Sequence, residues 1–262
     1  MKDKLACITL DLEPDHAGRI SEHYDAWKKE YIQELFACLK HYRVPLSAFV
    51  VANTLKKNQP IIKYMLNQGT EFYLHSYSHD LKSPDSVEQI HKGVEEFQSF
   101  FKKHPRGYRA PEGRISENGY LLLQQNGFVF DSSVFPSFWP RPKYLFRKKT
   151  VYNGPFGIIE IPITTITPAR IIFSLSWIKL IGWKIYKLLL SIFPLPRIVV
   201  FDFHLHDLHL LSVAKSLLPF WRFVYRKRQK SGLELLNQVL SYLQKKGYTF
   251  VPMSSFISER DR

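Results

Sequence analysis

The sequence predicts an α/β fold on a parallel sheet, either a barrel or a doubly wound sheet, and three observations lead there. Short apolar runs alternate with helical patterns for most of the chain, the habit of consecutive βαβ units. Polar residues of chemically useful kinds, Asp11, His75, Arg109, Asp131 and His204, fall just after apolar runs. Parallel α/β folds build their sites at the carboxyl ends of strands, so these positions point to one shared pocket. With 262 residues and 45% hydrophobic side chains the chain can fill one sizeable core, and a single domain over residues 1–262 is expected.

Leu5 to Leu10 is an apolar stretch interrupted only by Thr9 and reads as the first strand. Ala26 to Tyr42 carries Tyr31, Leu35, Cys38 and Leu39 at helical spacing, Pro45 marks a turn, and Leu46 to Val51 is the second strand. A helix from Gln59 to Gln68 stops at Gly69, a strand spans Glu71 to Leu74, and Val87 to Lys103 is helical again. Gly119 to Asn126 is a short helix closed by Gly127, ahead of the strand Phe128 to Phe130. Ile158 to Ile163, Ile198 to His204 and Thr249 to Pro252 are the later strands, and the helix Leu233 to Lys246 precedes the last.

The 37 basic residues outnumber the 23 acidic ones to give a net charge of +14, which favours an anionic partner without choosing among nucleic acid, lipid head groups and phosphorylated glycans. Cys7 and Cys38 sit where small apolar residues would fit, as in a reduced cytosolic chain. The apolar run after Met1-Lys2-Asp3-Lys4 meets Asp11 too soon for a secretory signal, so a cytoplasmic protein is expected.

His75-Ser76-Tyr77-Ser78-His79 has an H-x-x-x-H spacing at a strand end. If the chain turned into a helix there, the two rings would share one face and could ligate one cation, although such a spacing also arises by chance. Thr9-Leu10-Asp11-Leu12-Glu13-Pro14-Asp15 sets carboxylates on alternate positions. Crowded carboxylates repel unless a cation or an arginine neutralises them, and a polar loop after a strand is the plainer reading. Arg109-Ala110-Pro111-Glu112-Gly113, Asp131-Ser132-Ser133 and Phe203-His204-Leu205-His206-Asp207 follow in order.

This ordered set of five motifs, spread over roughly residues 5–256, resembles the polysaccharide deacetylases, the NodB homology or carbohydrate esterase family 4 group. The first motif departs from T-F-D-D-G and is similar to the D-x-E/D form of intracellular and exosortase-associated members. The resemblance implies a distorted (β/α) barrel of about seven strands and one divalent metal ion, with zinc the expected metal. It implies Asp11 as general base and Glu13, His75 and His79 as metal ligands, with Asp15 competing for the place of Glu13. Arg109 would pair with Asp11, and His204 would be the general acid, with His206 the alternative. Pro111, Asp131 and Ser132 would contact substrate. The implied reaction is hydrolytic removal of the acetyl group from an N-acetylated amino sugar in a glycan or a lipid-linked sugar. The rivals are deformylation or another amide hydrolysis on the same fold, and a catalytically inactive basic binding protein.

Ile171 to Phe193 is dense in Ile, Leu, Phe and Trp, broken by Lys179, Lys184 and Lys187. As one helix it has an apolar half opposite the lysines, with Trp177 and Trp183 toward the polar side, and reads as an insertion near 169–194 that either lies in a membrane interface with its lysines toward head groups or packs on the barrel. Aromatic and basic residues interleave over Pro219 to Lys230. Taken together these favour an anionic membrane surface at the inner face over nucleic acid as the partner.

Overall fold

A computed structural model describes residues 3–14, 26–138, 142–209 and 232–258. The first half of the chain is regular alternation: β1 (Lys4–Leu12), α1 (Lys29–His41), β2 (Leu46–Val50), α2 (Gln59–Asn67), β3 (Glu71–Leu74), α3 (Val87–Phe101), β4 (Gly107–Tyr108), α4 (Glu117–Gln125) and β5 (Phe130–Asp131). Ser86 and Ser116 cap α3 and α4 by accepting from the Gln89 and Gly119 N–H groups. The second half is less regular: β6 (Tyr152–Asn153), β7 (Ile159–Glu160), β8 (Thr165–Ile166), β9 (Ile171–Ile172), α5 (Leu175–Ile181), α6 (Trp183–Ile192), β10 (Ile198–His204), α7 (Leu205–Leu208), α8 (Gly232–Lys245), β11 (Tyr248–Phe250) and α9 (Ser255–Ser258).

The main sheet runs β10-β1-β2-β3-β4-β5-β7-β6 and is parallel throughout except for β6. β10 follows β1 from Leu5 to Asp11, while β11 takes Lys4 to Ala6 and β2 takes Ile8 to Leu12. The sheet curls into a half-barrel, and the seam between β7 and β10 is stitched by single residues. Ile161 N–H donates to Asp131 O, Ile163 N–H to Val134 O and Thr164 N–H to Val200 O, while Thr164 Oγ1 accepts from Val200 N–H. The molecule is thus the distorted (β/α) barrel that the motifs imply, and the strands from β10 to β7 number the seven expected. This stitching also shortens the strand expected over Ile158 to Ile163, because past Glu160 the backbone turns from β5 toward β10.

Strand alternation sorts the side chains into two cores. Ala6, Ile8, Leu10 and Leu12 of β1 and Val199, Phe201 and Phe203 of β10 face outward beneath the helices. Cys7, Phe49, Tyr73, Phe130 and Val200 face inward and fill the lower barrel with Met253, Phe256 and Ile257. Met253 N–H donates to Ser47 Oγ and the Ser254 hydroxyl to Glu71, so the C-terminal segment plugs the amino end of the barrel. Catalytic-type residues are left the other end.

The helix expected over Ile171 to Phe193 is three elements, β9, α5 and α6, broken at Gly182 with φ 101° and ψ 138°, a conformation that only glycine adopts without strain. Lys179 and Trp183, expected toward the polar side, are buried: Lys179 Nζ donates to Asp207 O at 2.6 Å, and Trp183 packs edge-on against Tyr242. Among the described residues no helix is long and apolar enough to cross a membrane.

Candidate active site

The inward set of β1 continues upward from Cys7 as Thr9, Asp11 and Glu13, so one period-two pattern turns from apolar to acidic at the mouth of the barrel. Asp11 lies opposite His204 in the β1–β10 register. His75 directly follows β3, Arg109 follows β4 and Ser132 follows β5, each held by a ladder bond: His75 N–H to Val50 O, Arg109 N–H to Leu74 O and Ser132 N–H to Tyr108 O.

Arg109 is fully buried over the Phe49 ring, 4.0 Å from its centroid. Its Nη1 donates to Asp11 Oδ1 at 2.6 Å, to Asp202 Oδ1 at 2.7 Å and to Thr9 Oγ1 at 3.1 Å. Nη2 donates to Ser132 Oγ and Nε to Ser132 O, so the guanidinium is fixed in plane. Burial alone would lower its pKa, but Asp11 and Asp202 outweigh that and keep it charged. Burial and the Asp11 charge push the Asp202 carboxyl up to about 7 despite Arg109.

Beside this pair, Glu13, His75 and His79 bring one ligand atom each within 4.8 Å of one another. His79 Nε2 lies 3.1 Å and His75 Nε2 3.7 Å from Glu13 Oε1. His75 Nδ1 bonds the Arg109 carbonyl at 2.7 Å, which puts the proton on Nδ1 and leaves Nε2 as a lone-pair donor facing the carboxylates. Glu13 Oε2 and His75 Nε2 are buried without a hydrogen-bond partner, as expected of atoms shaped to hold a cation. Burial would raise the Glu13 pKa, yet His79, His204 and His75 hold it well below the usual carboxylate range. The histidines do not share a helix face, as their spacing had allowed; a loop brings them together, with Ser76 at φ 64° and His79 at φ 60°. It is pinned by Ala52 N–H and Asn53 N–H, which donate to Ser76 O and Tyr77 O, and by the Gln89 side chain on Ser78. Such left-handed backbone persists only where its surroundings fix it.

His204 completes the ring: its Nε2 lies 3.9 Å from Asp11 Oδ2 and 3.5 Å from Glu13 Oε1, and its Nδ1 lies 3.2 Å from Asp207 Oδ2. Asp207 also accepts from His204 N–H and from the Ser176 hydroxyl. Burial would raise its pKa, but the His204 side-chain hydrogen bond and the charges of His206, His204 and Lys179 outweigh that and lower it. His204 is 22% exposed where Asp11 is 5% and His75 1%, so the site opens on its side. His206 is buried behind it, stacked at 4.8 Å.

Pro111, Asp131 and Ser132, expected to touch substrate, are all buried. Ser132 Oγ is taken up by Arg109 and by Ile161 O, to which it donates, so Ser132 supports Arg109, while Asp131 accepts from Ser133 N–H and Oγ. Ser132→Ala is therefore expected to lower unfolding stability by about 1.5–3 kcal/mol, the worth of a hydrogen bond to a buried charge. Urea unfolding checks it; a direct substrate contact would instead raise KM at unchanged stability. Sequence reasoning missed Asp202 and the support given by Asp207. An acid within the apolar run Ile198 to Phe203, two residues before a histidine and therefore on its face, was the available signal. Asp15 and the basic run Pro219 to Lys230 lie outside the described residues.

A curled parallel barrel with an arginine-clamped carboxylate, a Glu-His-His cage and a partly exposed histidine at its carboxyl end defines a NodB-like fold. The family model for polysaccharide deacetylase matches residues 2–130. A peptidoglycan-N-acetylglucosamine deacetylase of Bacillus cereus is 22% identical over 129 residues, 48% of this chain and 54% of that protein. A peptidoglycan deacetylase of Helicobacter pylori is 27% identical over 107 residues, 39% of this chain and 36% of that protein. The chain thus spans about half or less of these two relatives. A crystal structure described as a probable polysaccharide deacetylase from Pseudomonas aeruginosa PAO1 superposes with a TM-score of 0.63 at 14% identity, over 98% of this chain and 90% of that one, and shows the shared fold. The family match over residues 2–130, these relatives and the shared fold support the polysaccharide deacetylase superfamily for this chain.

Proposed function

We propose that this protein hydrolyses the acetamide of an N-acetylated amino sugar, using one divalent cation, zinc by preference, held by Glu13, His75 and His79. The observation that carries the proposal is the place of Asp11: its Oδ2 lies 3.9 Å from the ligand atom of His75 and 3.9 Å from His204 Nε2, between a cation cage and a second proton-transfer group. When bound, the cation would polarise the amide carbonyl and lower the pKa of water. Asp11, paired with Arg109 Nη1 at 2.6 Å, takes the proton of the attacking water. His204, oriented through Nδ1 by Asp207, carries a proton on Nε2 toward the leaving nitrogen. Acetate and a free amine leave.

Two further readings support a membrane-bound form of the substrate. The chain is cationic at +14, and its α5–α6 segment combines apolar residues with lysines, which suits a lipid-linked sugar or a glycan met at an anionic membrane surface on the cytoplasmic side. The activity is tested by incubating the zinc-loaded protein with N-acetylglucosamine oligomers and measuring released acetate. His204→Ala should lower kcat by roughly 10²-fold or more at unchanged metal content, and His206→Ala by much less. No acetate from any N-acetylated sugar, with formate released from an N-formyl analogue, would move the reading to a deformylase.

A further inference from the structure

We infer that α6, together with the loop around Phe146, is a docking surface for an anionic lipid membrane. The inference deepens the proposed function and rests on it only for the identity of the substrate. Helix α6 buries Trp183, Tyr186 and Leu190 in the core, which uses up one apolar face. Its outer face nonetheless carries Ile185, Leu188 and Ile192, 51%, 63% and 61% exposed, at i, i+3 and i+7 on one stripe. Packing on the barrel explains the inner face and leaves the outer one without a reason in the fold. Exposed Lys184 and Lys187 flank the stripe, and Arg197 follows the helix.

A second apolar tip is tied to the residues that lead into β9 and α5. Phe146 is 88% exposed and is followed by exposed Arg147, Lys148 and Lys149. This loop is fastened to the start of the same segment, since Arg170 Nη1 donates to Arg147 O at 2.8 Å and Lys149 Nζ to Thr167 O. Between Asp131 and Asp202 the sequence holds one acid, Glu160, and it is fully buried. The surface that this stretch presents therefore carries cations and no anion, which matches anionic head groups and opposes a basic partner. Apolar side chains at two points with cations around them supply both signals that stable peripheral attachment requires.

Docking here also has a consequence for the site. Helix α5, joined to α6 at Gly182, holds Asp207 by the Ser176 hydroxyl and by Lys179 Nζ, and Asp207 orients His204. A membrane seated on α6 therefore lies one helix away from the turn that bears the partly exposed histidine, on a segment rigidly tied to it.

The test is co-sedimentation of the full chain with vesicles of phosphatidylglycerol and phosphatidylcholine, against phosphatidylcholine alone. The expected result is binding to the mixed vesicles and little to the neutral ones, weakened by high salt. Lys184→Glu with Lys187→Glu should lower the partition constant at least about 25-fold, since each cation near such a surface is worth roughly fivefold. Leu188→Asp with Ile192→Asp should lower it at least about tenfold. All four side chains are exposed, so unchanged circular dichroism melts are expected, and the lysine pair keeps the test open should the Asp pair unfold. Equal binding to neutral vesicles, or wild-type binding by the lysine pair, would overturn the inference. So would a dimer in equilibrium sedimentation that the Leu188→Asp change dissociates, because the stripe would then belong to a second copy of the chain. Vesicle binding is read without catalysis, so its failure and the failure of the deacetylase reading are separate results.

Discussion

Replacing both His75 and His79 by Ala is expected to take the protein from about one divalent cation per chain to almost none, and hydrolysis with it. Their ligand atoms and that of Glu13 lie within 4.8 Å of one another. With both histidines gone, Glu13 alone remains of the three proposed ligands, and micromolar affinity for a first-row cation should be lost. Elemental analysis after dialysis gives the metal content. The same variant should lose the rise in melting temperature that added zinc gives the wild type, because a ligand that binds the folded state stabilises it by mass action. Unchanged metal content in the double variant would falsify the cage.

Asp11→Asn is expected to keep the metal and to lose turnover by up to about 10⁴-fold, the top of the range for positioned acid–base catalysis. The amide is nearly isosteric and its oxygen can still accept from Arg109 Nη1, so the pocket should stay intact while the proton acceptor is gone. Glu13→Gln is expected to do the opposite first, weakening zinc binding, since Glu13 Oε1 lies 3.1 Å from His79 Nε2 and shares the cage with it. Zinc titration followed by calorimetry, alongside acetate release, separates the two. Should Asp15→Asn lose zinc and Glu13→Gln retain it, the acidic ligand would be Asp15.

What the sequence by itself determined follows from short-range patterns. Period-two alternation in Cys7-Ile8-Thr9-Leu10-Asp11-Leu12-Glu13 already sets Asp11 and Glu13 on one face, and both are buried, Asp11 within β1 and Glu13 just past its end. The apolar runs and their helical spacers marked the βαβ alternation and a mostly parallel sheet, and left open whether that sheet closes into a barrel. Tertiary structure decided what spacing could not. His75 and His79 meet through left-handed backbone at Ser76 and His79, held by Ala52, Asn53 and Gln89 from other elements, where local propensity would have favoured a helical turn. Gly182 splits the apolar segment, and burial of Lys179 on Asp207 turns one of its lysines from the surface toward the site. Asp202 became part of the site only because β10 lies beside β1 and Arg109 reaches across from β4 to bind both Asp11 and Asp202. A charge partner 93 residues away in the chain is chosen by the closing of the barrel, for which no local pattern carries a signal.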